Sequence, residues 1–276
     1  MKIFDCFMYF DEDVVLEVRL NTLNQYVDYF IIVESNFTHK GDKRDLKFNI
    51  KKFEKFEKKI RYIIVDDLPK NTKPFYYNKR MWHENMVREE YQRNQIMRGL
   101  YDAKDEDLVV ISDNDEIPNL KNLDRVNFRR YAVFNQKFYK YKINLLSENQ
   151  TPYQGSRIIR KKYLKNSITP QWLRYQYTKR IKFWQIHRHF TNPTIIENGG
   201  WHFSFVISPE RISYKMKAYG HGELNTEKFT NVDYIREKIE SQRDFISNTS
   251  LKKVDLDETF PEYIINNKKK FEEFLI

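Results

Sequence analysis

The sequence predicts an α/β protein in which a mainly parallel central sheet is flanked by helices, with antiparallel strands and further helices in the C-terminal half. Up to Pro118, short apolar runs alternate with segments of helical spacing, which is typical of parallel strands joined by crossover helices. Beyond Pro118, aromatic and polar residues alternate, as in antiparallel strands with one face in solvent. No repeat, low-complexity linker or clear boundary divides the 276 residues, so we expect a single domain.

The first half contains four apolar runs that are typical of buried strands, near residues 3–10, 29–33, 61–65 and 108–111. The spacing of apolar residues between these runs predicts helices over residues 13–27, 49–59 and 78–103. The last three strands end in acidic residues. Because the carboxyl ends of parallel strands meet at one edge of a sheet, we expect a ligand crevice at that edge.

The second half is predicted to begin with a pair of antiparallel strands over residues 131–143 and 155–163. A helix is expected over residues 208–219, because Pro209 suits the first turn of a helix. Residues 233–276 are predicted to form helices with basic ends.

The composition indicates a folded protein with a positive surface. Aromatic residues make up 16% of the chain and favour folding, although 32% of the residues are charged. The net charge of +10 suggests an anionic substrate or a polyanionic partner. Cys6 is the single cysteine, which excludes an intrachain disulfide and suggests a reducing compartment. The chain also shows no signal peptide and no apolar run long enough for a transmembrane segment, so we expect a cytoplasmic protein.

The most informative motif is the acidic group Asp113, Asp115 and Glu116, which directly follows a buried strand. The two aspartates are two residues apart, so in an extended segment both carboxylates leave the same face and repel unless a cation lies between them. Carboxylate oxygens favour Mg²⁺, Mn²⁺ or Ca²⁺. The alternative is a solvated acidic turn, with Asn114 and Pro118 as turn formers.

Nucleotide-binding motifs based on glycine are absent, since the chain has no P-loop and no dinucleotide fingerprint. A divalent ion on Asp113 and Asp115 can instead neutralise a diphosphate leaving group, which is the chemistry of sugar transfer from a nucleotide. Phosphatases that use an aspartyl-phosphate share the pattern of a strand followed by acids. A non-catalytic protein that binds glycan or nucleic acid is a further alternative, but the basic residues are dispersed, so no nucleic-acid partner is expected.

Three groups of histidines and acids are further candidates. His202 is either a third metal ligand or a hydrogen-bonded histidine beside a core tryptophan. His221 and Glu223 lie in a glycine-flanked segment, where they belong to the site or cap the loop. His187 and His189 are assigned to a solvated basic strand.

Aromatic residues provide candidates for contacts with sugar rings. Trp201 follows Gly199 and Gly200, which let the backbone approach a ligand closely or form a bulge. Trp201 and the pair Tyr76 and Tyr77 can stack on sugar faces, and the alternative for all three is a place in the aromatic core.

Beyond these patterns, the chain resembles the family 17 glycosyltransferases. In the first part of the chain the resemblance lies in Asp13, Leu16-Glu-Val-Arg-Leu20, Val27-Asp-Tyr-Phe-Ile-Ile-Val-Glu-Ser35, Thr38, Gly41 and Leu46-Lys-Phe48. It continues in the same order through Asp113-x-Asp-Glu-Ile-Pro118, Gly200-Trp-His-x-Ser204, Pro209-Glu210 and Phe260-Pro-Glu-Tyr-Ile-Ile-Asn-Asn267. The combination of these blocks is specific, whereas each block alone is not.

The resemblance implies a GT-A-like glycosyltransferase domain over residues 1–276, with residues 1–118 for the donor nucleotide and residues 119–276 for the acceptor and a helical C-terminus. It implies a UDP-N-acetylglucosamine donor, a divalent ion, Mn²⁺ or Mg²⁺, and inversion at the anomeric carbon. Golgi members carry a membrane anchor and luminal cysteines that are missing here. The particular glycoprotein on which those members act is therefore not carried over, and we expect a glycan, a glycolipid or a different glycoprotein as the acceptor.

Roles for individual residues also follow from the resemblance. Asp113 and Asp115 take the D-x-D role toward the metal and the donor, with Asp115 the firmer ligand; His202 remains the third metal-ligand candidate on the residue pattern alone. The other residues expected to contact or support the donor are Arg19, Glu34, Ser35, Thr38 and Lys47. A general base is required for inversion, and the candidates are Glu116, Glu210 and Glu223. Trp201 and His221 are the residues expected to contact the acceptor.

Overall fold

The structure is a computed structural model, and it describes residues 1–73, 75–77, 80–121, 123–128, 130–176, 193–218 and 226–276. Its strands are β1 (Ile3–Met8), β2 (Tyr29–Ser35), β3 (Ile60–Val65), β4 (Phe75–Tyr77), β5 (Arg80–Trp82), β6 (Leu108–Asp113), β7 (Glu116–Pro118), β8 (Tyr131–Lys140), β9 (Leu145–Leu146), β10 (Tyr153–Arg160), β11 (Thr194–Ile196), β12 (Gly200–Ser204) and β13 (Lys252–Lys253). The α-helices are α1 (Asp13–Leu23), α2 (Glu84–Asn94), α3 (Pro170–Arg174), α4 (Pro209–Ala218), α5 (Glu227–Thr230), α6 (Val232–Glu240) and α7 (Glu262–Asn266). The longer 3₁₀ helices are Ile50–Lys59, Gln95–Leu100 and Lys268–Phe274.

A large mixed sheet forms the centre of the fold, with the strand order β13-β9-β8-β10-β6-β1-β2-β3. Strands β6, β1, β2 and β3 are parallel to one another. Strand β10 joins this parallel part to the second half, because it is antiparallel to both β6 and β8. The predicted α/β architecture, with antiparallel strands in the C-terminal half, is confirmed.

Both faces of the parallel strands β6, β1 and β2 are covered, as their continuous apolar runs predict, whereas the edge strand β3 is only partly buried. In β6, Val109 and Ile111 pack into one core, whereas Leu108 and Val110 pack into the core on the opposite face. Side chains of a strand alternate between faces, so only a strand buried on both sides needs an uninterrupted apolar sequence.

Several predicted boundaries are wrong. Helix α1 ends at Leu23 rather than Val27, although Val27 is buried just beyond it. The helix predicted over residues 78–103 starts only at Glu84, because β5 pairs with β4 before it, and it continues as a 3₁₀ helix. Residues 241–261 contain the short strand β13 rather than a helix. Among the residues described, no helix has the length and apolar character needed to cross a membrane.

Two glycines allow β12 to lie against its neighbours. Gly200 has φ +121°, and a Cβ there would lie 2.1 Å from the carbonyl oxygen of Ile117. A Cβ on Gly199 would lie 2.8 Å from the backbone nitrogen of Asn135. The glycines therefore let the backbone of β12 lie close to β7 and β8. In this register His202 is paired with Glu116 of β7.

We predict that Gly200→Ala lowers the free energy of unfolding by more than about 3 kcal/mol, because backbone strain and a collision with β7 add together. The loss is measured by urea unfolding at pH 7. Gly41→Ala is the matched comparison, since Gly41 also has a positive φ (101°) but its Cβ would meet only the flexible side-chain end of Arg88, at 3.2 Å. We expect a smaller loss for that variant, and an equal loss in both would contradict the role assigned to the backbone contact.

Candidate active site

A cleft of about 330 Å³ opens at the carboxyl ends of β1, β2 and β6. This is the edge of the sheet at which a ligand crevice was predicted. Helices α2, α3 and α4 and strand β12 contribute its other walls. The charged and ionisable side chains that line it are Glu12, His39, Arg44, Glu89, Arg93, Asp113, Asp115, Arg174, His202 and Lys215.

A fully buried arginine, Arg19 of α1, fixes the turn that carries the acidic motif. Its Nε and Nη2 donate to the two carboxylate oxygens of Asp5 at 2.7 and 2.6 Å. Its Nη1 donates to the carbonyl oxygens of Asp113 and Glu116 at 3.1 and 2.7 Å. Arg19 is not one of the residues that line the cleft, so its position is that of a support for the 113–116 turn.

Both carboxylate oxygens of Asp113 are occupied by arginines. Oδ1 accepts from Nη1 of Arg93, and Oδ2 accepts from Nη2 of Arg174, each at 2.7 Å. Burial alone would raise the pKa of Asp113, but Arg174 and Arg93 outweigh it and hold the pKa well below its usual value. The carboxylate is therefore ionised and directed at the two arginines.

Glu116 lies beneath this network and is fully buried. One carboxylate oxygen accepts from Nη2 of Arg174 at 2.5 Å, and the other accepts from the backbone nitrogen of Asp113 at 3.2 Å. Burial raises the pKa of Glu116 even though Arg174 opposes this. Glu116 thus holds the arginine and the turn, and it does not line the cleft.

Asp115 and His202 face each other in the cleft, with Oδ1 of Asp115 3.4 Å from Nε2 of His202. The backbone nitrogen of Phe203 donates to the carbonyl oxygen of Asp115 at 2.8 Å, which ties β12 to the turn. Burial raises the pKa of Asp115, but His202 and Lys215 outweigh it and lower the pKa below its usual value. The other ring nitrogen of His202, Nδ1, is buried and neither accepts nor donates a hydrogen bond.

Among the ionisable side chains of the cleft, Asp115 and His202 are the ones that suit a divalent ion. No group of three or more histidine, cysteine, aspartate or glutamate side chains has metal-binding geometry within the part of the chain that the structure describes. Asp113 is engaged by arginines, which leaves one carboxylate and one imidazole. Ions that act on phosphates are commonly held by only one or two protein side chains, and phosphate oxygens and water complete the coordination. The pair therefore fits an ion that is shared with a bound phosphate.

Positive charge at the cleft comes from residues that the sequence analysis did not identify. Arg93 of α2 pairs with Glu89 at 2.9 Å as well as with Asp113. Lys215 of α4 pairs with Glu12, and the negative charges of Glu12 and Asp115 raise the pKa of Lys215 although burial opposes the shift. The only sequence signal for any of them is the helical i, i+4 spacing of Glu89 and Arg93, which is also typical of solvated helix surfaces.

The loop after β2 forms the side of the cleft where the nucleotide was predicted. Thr38 lines the cleft directly, and Ser35 lines a separate small cavity beside it, between β2 and α2. Glu34 is fully buried and accepts from the backbone nitrogens of Lys47 and Phe48 at 2.7 and 3.0 Å. Glu34 therefore shapes this loop from below, and the side chain of Lys47 is exposed outside the cleft.

The same loop carries His39, which the sequence analysis did not select. Its Nε2 lies 3.1 Å from Oε1 of Gln92 on α2. Burial lowers the pKa of His39, although Glu89 opposes the shift. The imidazole is consequently neutral at pH 7 and able to accept or donate a hydrogen bond to a ligand.

Two of the remaining candidates, Trp201 and Glu210, lie away from the cleft. Trp201 is buried in the core, and its indole nitrogen donates to the carbonyl oxygen of Thr259 at 2.9 Å. Glu210 is exposed on α4, where it pairs with Arg236 at 2.9 Å. Tyr76 and Tyr77 lie in β4. The candidates that lie outside the described residues are His187, His189, His221 and Glu223.

Comparisons with known proteins point to one family. The model of the family described as glycosyltransferase family 17 matches residues 1–141, just over half of the chain. The rat β-1,4-mannosyl-glycoprotein 4-β-N-acetylglucosaminyltransferase (Rattus norvegicus) is 26% identical over 259 residues, which cover 82% of this chain and 45% of that protein. The human protein of the same name (Homo sapiens) is 25% identical over 256 residues, which cover 80% and 44%. The chain thus spans a little under half the length of these relatives.

A solved structure, the 2-C-methyl-D-erythritol 4-phosphate cytidylyltransferase of Francisella tularensis, aligns with 71% of this chain and 90% of its own. The sequence identity is 11% and the TM-score is 0.36, which is too low for an inference about either fold or function.

We predict that Arg19→Met destabilises the protein by about 3–5 kcal/mol, because it leaves the buried carboxylate of Asp5 without a partner and frees the 113–116 turn. Urea unfolding measures the loss. The double variant Asp5→Asn/Arg19→Met removes the unpaired charge as well, so part of the loss should be recovered. A loss below about 1 kcal/mol for the single variant, the level of an exposed ion pair, would contradict the assignment.

Proposed function

The chain belongs to glycosyltransferase family 17, and from this premise we propose that it transfers N-acetylglucosamine from UDP-N-acetylglucosamine to a glycan acceptor with inversion at the anomeric carbon. The observation that carries the proposal is the convergence of Asp115, His202 and Lys215 with Arg93 and Arg174 in the cleft. A nucleotide-sugar transferase requires such a site, where ionised acids that can hold a cation lie beside fixed positive charges.

The donor sugar is proposed from the relatives, whose names describe N-acetylglucosaminyltransferases that act on a mannosyl-glycoprotein. The uridine would lie along the loop after β2, where Thr38, His39 and Gln92 present hydroxyl, imidazole and amide groups to the cleft. The parallel strands and the acids after β6 are consistent with a fold of the GT-A type. The acceptor we propose is a glycan, either free or carried by a lipid or a protein.

The diphosphate would lie where the positive charges meet. Asp115 and His202 would hold a divalent ion, Mn²⁺ or Mg²⁺, which on binding supplies charge neutralisation for the diphosphate as a leaving group. Lys215 and Arg174 already face anionic groups in the cleft, at Glu12 and Asp113 respectively. These cations are fixed by their partners before a ligand arrives, so little reorganisation is needed when negative charge develops.

Inversion requires a base that removes the proton from the attacking acceptor hydroxyl. Glu116 is buried under Arg174 and Glu210 is exposed outside the cleft, so neither is positioned for this step. Of the three predicted bases this leaves Glu223, and the structure adds Glu12 and Glu89 as carboxylates that line the cleft. Glu89 is ionised at neutral pH, since Arg93 and His39 hold its pKa below the usual value although burial raises it.

We predict that Asp115→Ala lowers the release of UDP from UDP-N-acetylglucosamine by at least about 100-fold, because it removes the carboxylate proposed to hold the ion; even outer-shell partners of metal sites contribute roughly 10- to 100-fold. UDP release is measured with Mn²⁺, with Mg²⁺ and with a chelator, and the chelator should reduce wild-type release to the level of the variant. Circular dichroism confirms that the variant is folded.

Glu210→Gln is the matched control for this experiment, because it removes an exposed carboxylate of α4 that is outside the cleft. It should release UDP at the wild-type rate. Full activity of Asp115→Ala would refute the assigned role of Asp115, and full activity in chelator would refute the metal. A wild-type protein that neither releases nor binds UDP would contradict the proposed donor.

A further inference from the structure

Three consecutive residues after β1, Phe10 to Glu12, contact side chains of helix α4 at the mouth of the cleft. Asp11 pairs with Arg211 at 2.9 Å, and Glu12 pairs with Lys215. Between these ion pairs, the ring of Phe10 stacks on the ring of Tyr214 with a centroid distance of 5.9 Å and an angle of 27° between the planes. Phe10 lines the cleft itself. We call these residues, Phe10, Asp11, Arg211 and Tyr214, the rim of the cleft; their mutual contacts restrict the movement of each side chain.

Tyr214 leaves aromatic surface open next to the cleft. It is 46% exposed and does not itself line the cleft, but its ring stacks on Phe10, which does. Phe10 is held on another side by the guanidinium of Arg44, 4.5 Å from the ring centroid. Ile246, which lines the cleft, is 37% exposed. Exposed apolar side chains beside a cleft are typical of ligand contacts.

Polar groups flank the aromatic surface. The carboxylate of Asp11 and the guanidinium of Arg211 retain 27% and 40% exposure while paired with each other. A sugar ring presents a face of C–H groups and an edge of hydroxyl groups. An exposed aromatic ring matches the face, and a planar carboxylate–guanidinium pair matches the hydroxyl groups, since one accepts and the other donates hydrogen bonds.

The position of this surface relates it to the donor. Tyr214 is followed in α4 by Lys215, whose ammonium group reaches into the cleft toward Glu12 and Asp115. A sugar on Tyr214 would therefore lie beside the site of the donor diphosphate and not on a remote surface.

We propose that Tyr214, held by Phe10 and flanked by Asp11 and Arg211, is the subsite that binds the acceptor sugar. This inference rests on the proposed function and deepens it. Tyr214 is the platform on which the sugar ring packs, and Phe10 is a positioning residue. Trp201, which the sequence predicted to contact the acceptor, is buried in the core, so Tyr214 takes that role in this proposal.

The test is saturation-transfer NMR with methyl β-D-mannopyranoside, methyl β-D-galactopyranoside and chitobiose as probes, in the presence of Mn²⁺ and UDP. At least one of them should bind to the wild-type protein through its ring protons. Tyr214→Ala should weaken that binding about tenfold, a loss of roughly 1.4 kcal/mol, which is within the range of an aromatic contact. Tyr214→Phe keeps the ring and should retain the binding.

Tyr101→Ala is the matched control, since Tyr101 is 77% exposed and its ring contacts Arg61, which does not line the cleft, whereas Tyr214 contacts Phe10, which does; this variant should bind the sugars as the wild type does. The affinity for UDP is measured on the same samples. If the wild type binds UDP but none of the three sugars, or if Tyr214→Ala binds a sugar as tightly as the wild type, the subsite is wrong. If the wild type does not bind UDP, the proposed function itself fails.

Discussion

Arg19 is a charged side chain without access to water, and it is stable there because Asp5 neutralises it and three backbone carbonyl oxygens accept hydrogen bonds from it. Asp5 lies in the middle of β1, at the centre of the parallel strands, and the carbonyls belong to the turn after β6. One guanidinium thus connects the rigid sheet to the turn that carries Asp113 and Asp115. Removing either partner leaves an unpaired buried charge, which is among the most costly changes in a protein interior.

Above this support, the cleft is a network in which each acid of the motif has an assigned partner. Asp113 faces Arg93 and Arg174, Glu116 faces Arg174, and Asp115 faces His202. The arrangement divides the acidic motif into two functions. Asp113 and Glu116 hold the arginines in place, and Asp115 is the acid of the motif that remains for an ion. Such a division explains how a motif with two aspartates can present a single carboxylate to the ligand.

The parallel strands and the edge that carries the acids were predictable because burial on both faces leaves a continuous apolar signature, and because strand ends share one edge. The arginine partners of Asp113 and Glu116 were not predictable. Arg93 and Arg174 lie 20 and 61 residues from Asp113. In a chain with 49 lysines and arginines, a buried arginine has no local signature that distinguishes it from a solvated one.

The sequence also did not separate a tryptophan in the core from one in the site, as Trp201 illustrates. Its place is decided by the register of β12 with β7, which the glycines before it permit.

The most direct test of the central claim is a crystal structure of the protein with UDP and Mn²⁺. We predict that UDP binds in the cleft with its diphosphate near Arg174 and Lys215. The ion should be bound by Asp115 and His202, and Asp113 should remain paired with its two arginines. UDP bound elsewhere, or an ion held by Asp113 with Arg93 and Arg174 displaced, would contradict this claim.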